Sequence, residues 1–510
     1  MRGVGARILT LALLLLPAAT TASGQDLASF EKKVTTKVLA NGLTVIVCER
    51  PEAPVFSFFT HVNVGSDYEV PGITGLAHMF EHMAFKGTDK IGTRDYAAEK
   101  VALEKVEAAY AAYDRERRRE TGKDEKKLSE FEKAWKAAME QADTYVVSNE
   151  FTEIIEREGG ADVNAFTSDD ETGYFYSLPA NRLELWAYLE SERFMKPVMR
   201  EFYKERDVVF EERRMRVDSS PFGRLLEQFR AAAFTAHTYG HSGIGWPSDL
   251  QSFSATDAAA FHEKYYIPAN IVVAVVGDVK APEVIAFVEK YFGRLPSRPK
   301  AEPLRTVEPP QQVERQIVLY DASQPRYLEG YHKPGVLDPD DAVYDVISDL
   351  LSSGRTSRLY RSLVRDKKIA AGAGGFPGFP GSKYPNLFVL LATTTPGHTP
   401  QEVQEAIRAE IERLKNEDVT DDELKMVKTR AKANLIRQLD SNDGLAGQLA
   451  TYQALFGDWR ELFRAVDRID KVGKADIRRV AKETFVASNR TVGIIESTQM
   501  AGAKDRGEKP

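Results

Sequence analysis

Apolar positions along the chain fall into runs of period two and of period three to four, and these predict the elements. The stretch Val38-Leu39-Ala40-Asn41-Gly42-Leu43-Thr44-Val45-Ile46-Val47 places apolar runs on both sides of Asn41-Gly42. That pair accepts positive φ, so the segment reads as a tight β-hairpin. Val55 to Val64 is a second strand-like run, and Gly75 to Phe85 reads as a short helix. From Tyr96 to about Ala142 the chain becomes charged and Ala-rich. Leu103, Val106, Tyr110 and Tyr113 recur at heptad spacing, as do Leu128, Phe131, Trp135, Ala138 and Ala142. The polar stretch between them carries Gly122 as a breaker. Matching stripes joined by a short turn predict an antiparallel helical hairpin, an insertion over about 96–145 that projects from its domain. Strand signals return at Asn164-Ala165-Phe166-Thr167 and Tyr174-Phe175-Tyr176, and helical patterns follow at Arg182–Met195 and Glu201–Val217. Val272 to Val276 is an unbroken apolar run, the pattern of a strand buried on both faces.

The chain then repeats its grammar. Pro296 to Pro310 is rich in Pro, Arg and Glu and reads as a linker. Tyr266-Ile267-Pro268-Ala269-Asn270-Ile271-Val272-Val273 closes the segment before it, and Phe485-Val486-Ala487-Ser488-Asn489-Arg490-Thr491-Val492 closes the segment after it. Each follows an amphipathic helix, and the helix near Gly87 has a counterpart near Gly354. The expected fold is α+β: two homologous α/β-roll halves, antiparallel sheets packed with helices, joined by a linker into a clamshell. The halves span about 30–296 and 313–500, with the linker at 297–312 and a polar tail at 501–510.

At the start, Arg2 and Arg7 precede the apolar run Ile8 to Leu16, and Ala22-Ser23-Gly24 offers a cleavage site. Residues 1–24 therefore read as an export signal. The run is shorter than the roughly 20 residues a membrane span needs. The expected product is periplasmic or secreted, with no stable membrane span after signal removal. Among 510 residues, 69 Lys and Arg stand against 76 Asp and Glu, a net charge of −7 that argues against a nucleic-acid partner. The single cysteine, Cys48, rules out an internal disulfide and any Cys-based zinc ribbon.

The chemistry concentrates in Ala77-His78-Met79-Phe80-Glu81-His82-Met83. Positions i, i+3 and i+4 share one helical face. His78 and His82 can thus reach a single zinc at about 2.0–2.1 Å, with the Glu81 carboxylate beside it. Zinc in such a site lowers the pKa of its water to about 7, and a neighbouring carboxylate can move that water's proton. Catalytic zinc usually takes three protein ligands. The segment Glu205 to Glu212 is the best donor of the third: Glu205 and Glu212 lie two turns apart on one face, with Glu212 placed to ligate and Glu205 to orient a ligand. Glu211 competes for the same role. His237 and His241 are also four apart, but Gly240 breaks helical continuity and they read as loop residues.

His78-x-x-Glu81-His82 is the inverted zinc motif H-x-x-E-H. With Glu205 to Glu212 downstream and two homologous halves, the chain resembles the pitrilysin/insulinase family of metallopeptidases, in particular the bacterial relatives of mitochondrial processing peptidase. Gly75-Leu76-Ala77, Phe85-Lys86-Gly87-Thr88, Gly160 and Asn164-Ala165-Phe166-Thr167 agree with it. The resemblance implies one zinc per chain on His78, His82 and Glu212, with Glu81 as general base. It also implies an edge strand at Asn164 and Ala165 that pairs with extended peptides or unfolded polypeptides. The second half departs from the metal motif, with Asp345, Ser348 and Asp349 where His78, Glu81 and His82 stand. Family members complete the site with an Arg and a Tyr from a C-terminal half, whereas this chain reads Ile369-Ala370-Ala371-Gly372-Ala373-Gly374-Gly375 in the corresponding region. The implied assembly is a homodimer, or a heterodimer with a metal-free homologous subunit. The rival class is a non-catalytic peptide-binding scaffold subunit.

Overall fold

The computed structural model describes residues 27–498. The export signal expected at residues 1–24 and the polar tail at 501–510 lie outside the described residues. No helix among the described residues is long and apolar enough to cross a membrane.

The strands are β1 (Val34–Val38), β2 (Thr44–Glu49), β3 (Val55–Val62), β4 (Ala161–Thr167), β5 (Thr172–Pro179) and β6 (Ile271–Gly277) before the linker. After it come β7 (Arg315–Asp321), β8 (Arg326–Lys333), β9 (Ala370–Phe379), β10 (Asn386–Thr394) and β11 (Arg490–Ser497). The first sheet runs β1-β2-β6-β3-β5-β4 and the second β7-β11-β8-β10-β9. With β1 set aside, the two orders match strand for strand. In each half the first and last strands pair in parallel, β2 with β6 and β7 with β11. The other neighbours are antiparallel. Both α+β halves are therefore present, each with one parallel pair, because the chain returns through helices before its last strand.

The helices that position the site are α1 (Leu76–Met83), α2 (Tyr96–Arg117), α3 (Glu125–Asp143), α4 (Phe202–Arg213), α5 (Pro221–Ala233) and α6 (Ala255–Tyr265). In the second half they are α7 (Asp341–Ser352), α8 (Asp421–Gln438) and α9 (Asn442–Phe456).

Alternation along the strands divides their side chains between two faces. On one face of the first sheet Val45, Val47, Phe56, Phe58, Val273 and Val275 join Leu76, Met79 and Phe80 of α1 and Phe261 of α6. On the other, Ile46, Cys48, Phe59, Val272, Ala274 and Val276 meet Leu445, Ala446, Leu449 and Ala450 of α9, a helix of the second half. The exchange is reciprocal. One face of the second sheet packs on its own α7. The other, with Leu328, Leu387, Val389 and Ile495, is covered by Leu225, Phe229 and Ala233 of α5 from the first half. Gly330 and Gly493 make that approach close: a Cβ at Gly330 would lie 2.8 Å from the Phe229 ring, and one at Gly493 3.2 Å from Leu225. Val272–Val276 reads as an unbroken apolar run because both of its faces are covered, one by each half.

The Asn41-Gly42 turn forms with Gly42 at φ +97°. The Asn41 amide donates to the carbonyls of Phe292 and Leu295, tying the turn to the end of the first half. The linker carries no helix or strand, and Glu308 pins it by accepting from the backbone N–H groups of Thr235, Ala236 and His237.

The hairpin forms with the expected stripe, but it lies against the domain instead of standing off it. Val106, Tyr110 and Trp135 are buried. Arg117 and Arg118, near the end of α2, donate to the Gln251 and Ser252 carbonyls before α6. The heptad stripe buries both the seam between the two helices and a strip against the domain, and spacing alone does not separate the two.

Because each sheet needs the other half's helix, a cavity in the exchanged seam should weaken the whole chain. Leu449→Ala, at a fully buried position, is expected to cost about 2–5 kcal/mol. Urea unfolding should show one cooperative transition moved to lower denaturant. Two transitions, with only the second half weakened, would contradict the exchange.

Candidate metal centre

Helix α1 is fixed at its start and along its apolar face. Gly75 precedes it at φ +93°, where an added Cβ would lie 2.7 Å from the Ile244 carbonyl oxygen. The fully buried Glu69 accepts from the N–H groups of Gly75 at 2.8 Å and Ala77 at 2.7 Å. Its side-chain oxygens satisfy donors that have no partner within the helix, while full burial raises its pKa well above the usual carboxylate range. Leu76, Ala77, Met79, Phe80 and Met83 are buried. His78, Glu81 and His82 take the opposite face, partly buried.

Helix α4 crosses that face. His78 Nε2 lies 3.5 Å and His82 Nε2 3.7 Å from the same oxygen, Glu212 Oε2. One donor atom from each of the three residues falls within 4.8 Å of the others. Tetrahedral ligands at zinc's usual bond lengths stand about 3.3–3.5 Å apart, so a zinc ion fits between these groups with small side-chain adjustment. Arg216 holds the other Glu212 oxygen at 2.8 Å, leaving Oε2 directed at the histidines. Glu205 Oε2 lies 3.4 Å from His82 Nδ1, and Lys86 holds the other Glu205 oxygen at 2.5 Å. Glu81 Oε2 accepts the Thr167 hydroxyl at 2.7 Å. Glu211 points away, exposed and paired with Arg214.

The electrostatics fit a site built around a cation. Burial pushes the His78 imidazole down to about 4, reinforced by the neighbouring His82. Burial opposes charge on His82 too, but hydrogen bonds to Glu205 and Glu212 hold it up at about 9. Hydrogen bonding to His82 keeps Glu212 below the usual carboxylate range. Burial raises Glu205, and the hydrogen bonds from His82 and Lys86 more than reverse it. Burial lifts Glu81 above that range, against the Thr167 hydrogen bond.

Strand β4 ends the first sheet and, among the described residues, pairs only with β5. Asn164 and Ala165 line one wall of a cleft of about 360 Å³ whose other wall carries Glu81, His82 and Glu205. The structure thus gathers Glu81, His82, Glu205, Asn164 and Ala165 around one cleft, while His78 and Glu212 meet His82 without lining that cleft. Lys86, Thr167, Arg216 and Glu69 complete the site without having been assigned roles from sequence. Arg216 was legible as the i, i+4 partner of Glu212, whereas Lys86 reaches Glu205 across a tertiary contact. Thr167 and Glu69 act across tertiary contacts that spacing does not reveal. His237 and His241 occupy a loop and a 3-10 turn, with His241 3.3 Å from Glu69. In the second half, α7 and α8 occupy the places of α1 and α4. There Asp349 pairs with Arg430 at 2.8 Å, a guanidinium where the first half collects ligands.

Two outcomes follow for metal affinity. Glu212→Gln should weaken zinc binding by about 10-fold or more while Glu211→Gln leaves it unchanged, measured by chelator competition; equal losses would remove Glu212 from the ligand set. Zinc must displace the proton that His82 carries below pH 9. Affinity should therefore climb about tenfold per pH unit between pH 7 and 9, with net proton release in calorimetry.

The chain is similar to known proteins in both halves. A model of the insulinase family (peptidase family M16) matches residues 44–117 and 136–245, and a model of the peptidase M16 inactive domain matches residues 252–431. Residues 118–135, at the far end of the hairpin, fall outside the first match. The zinc protease PqqE of Helicobacter pylori is 29% identical over 492 residues, 95% of this chain and 97% of that one. The uncharacterized zinc protease YmxG of Bacillus subtilis is 23% identical over 450 residues, 87% of this chain and 94% of that one. A solved structure of a protease from Helicobacter pylori superposes with a TM-score of 0.76 at 29% identity, covering 91% of this chain and 99% of that chain.

Proposed function

Since the chain belongs to the insulinase family of peptidases (M16), we propose that it is a zinc-dependent endopeptidase acting on extended peptides or unfolded polypeptides. The observation that carries this reading is the convergence of His78, His82 and Glu212 within 4.8 Å, with His82 also lining a cleft that holds Glu81. A zinc ion held by those three residues supplies Lewis acidity that polarises a scissile carbonyl and makes water easier to deprotonate.

The chain's own residues do the rest. Glu81 takes the proton of the attacking water and delivers it to the leaving amine. Burial favours its protonated form, which suits the second transfer, and the Thr167 hydroxyl fixes the direction of its carboxylate. Glu205 holds the His82 ring and is itself held by Lys86. The outer edge of β4 at Asn164 and Ala165 receives the substrate backbone as an added strand, which gives affinity with little demand on side chains.

The export signal read from the sequence makes the proposed place of action the periplasm or the exterior. The proposed assembly is a homodimer, or a pair with a homologous metal-free subunit that supplies the family's Arg and Tyr. Full-rate cleavage by a purified monomer would exclude that assembly.

A fluorogenic peptide tests the chemistry. Cleavage should stop with chelator and return with zinc. Glu81→Gln should retain zinc while kcat falls by about 10²–10⁴-fold. A Glu81→Gln variant that still turns over would remove the general-base assignment.

A further inference from the structure

Helix α4 has two working faces. Glu205 and Glu212 look toward α1, and Tyr203 and Arg206 look toward the hairpin. Arg206 is 7% exposed, yet its partners are rings and neutral oxygens. Its guanidinium lies 4.9 Å from the Tyr203 ring centroid, 5.2 Å from that of Tyr110 and 5.8 Å from Trp135. It donates to the Tyr110 hydroxyl at 2.8 Å and to the Phe253 carbonyl at 3.3 Å. The rings form one knot: Tyr110 and Tyr203 are 4.4 Å apart, Trp135 and Tyr203 5.1 Å, and Trp135 stacks on Tyr113 at 5.2 Å. Tyr203 also donates to Glu107 of α2 at 2.7 Å, and that carboxylate accepts the Thr256 hydroxyl of α6. A buried cation without a carboxylate depends on such a cage to offset its desolvation.

Beside this knot the seam is hollow. A cavity of about 460 Å³ lies between the hairpin, α4 and α6, lined by Leu103, Val106, Met139 and Phe202 among others. The hold of the hairpin on α4 therefore comes from the aromatic knot, the Tyr203–Glu107 hydrogen bond and the Lys204–Asp143 ion pair at 2.8 Å.

We propose that the helical hairpin is a brace for the metal centre: Trp135 and Tyr110, through Arg206 and Tyr203, fix the position of α4 and with it the reach of Glu212 to His78 and His82. Arg206 and Trp135 are positioning residues in this scheme. It rests on the proposed zinc site for its consequence but not for its geometry.

The test compares full-length Trp135→Ala, Trp135→Phe and Arg206→Met with wild type. In metal-free protein, hydrogen exchange over residues 202–213 should quicken about tenfold or more in Trp135→Ala and Arg206→Met, with β8 and β10 unchanged. Zinc affinity, by chelator competition, should fall about 10–100-fold. Peptide cleavage should lose kcat while KM stays within about twofold. Trp135→Phe should recover most of each loss. Wild-type exchange over α4 and wild-type zinc affinity in both variants, even with a lowered Tm, would overturn the brace. Should Trp135→Ala fail to fold, Arg206→Met, which keeps the rings and removes the guanidinium they share, decides alone. Faster exchange over α4 in that variant supports the brace, and wild-type exchange overturns it. A wild-type chain that holds no zinc would refute the proposed function, and the metal-free exchange would still decide the brace.

Discussion

One crossing governs the first half: α4 over α1, with a carboxylate oxygen of Glu212 between the imidazoles of His78 and His82. Groups far apart in the chain meet there, drawn in part by the charged His82 ring between Glu205 and Glu212. One imidazole is driven toward neutrality by burial while the other is held charged by carboxylates. The order is imposed from outside. Glu69 grips the first turn of α1, Arg213 forms a buried pair with Glu227 at the end of α4, and the hairpin backs α4 from the far side. Folding energy spent in these places holds the candidate ligands ready in a geometry that a bound metal would complete.

The second half explains by contrast what that arrangement is for. It repeats the strand order and the paired helices, but Arg430 reaches Asp349 where the first half assembles donors for a cation. A guanidinium supplies positive charge permanently and needs no metal. The two halves nevertheless cannot be separated into an active unit and a passenger. Each sheet buries one face on its own helices and the other on a helix from its partner half, so the second half is part of the core on which the proposed metal site stands.

The periods of the sequence disclosed much of this. The hairpin turn at Gly42, the inserted helix pair, the repeat and the H-x-x-E-H face were all legible because each is written in local spacing. The role of Glu211 against Glu212 was not, since neighbours on a helix differ by about 100° and only the position of α1 decides which one faces it. The expectation that the hairpin projects failed because a stripe of Val106, Tyr110 and Trp135 suits a helix–helix seam and a helix–domain seam equally. The exchange of α5 and α9 left only a trace, the two-sided burial of Val272–Val276. Glu69 and Thr167 left none: a lone acid and a lone hydroxyl gain meaning only from what the fold sets opposite them.

Thr167 joins the two parts of the site. It is the last residue of β4, three beyond Asn164, and its hydroxyl fixes the carboxylate of Glu81. On the proposed function, the strand that would accept an extended peptide along its outer edge is thereby also the element that orients the proposed general base. Any slide or twist of β4 would misplace both the scissile bond and the carboxylate, and pairing with a substrate strand would steady both at once. Proximity of the reacting groups then comes from a backbone register shared by substrate and enzyme, which asks little of the substrate's side chains. Extended or unfolded chains satisfy that register, and folded ones, whose strands are already paired, do not.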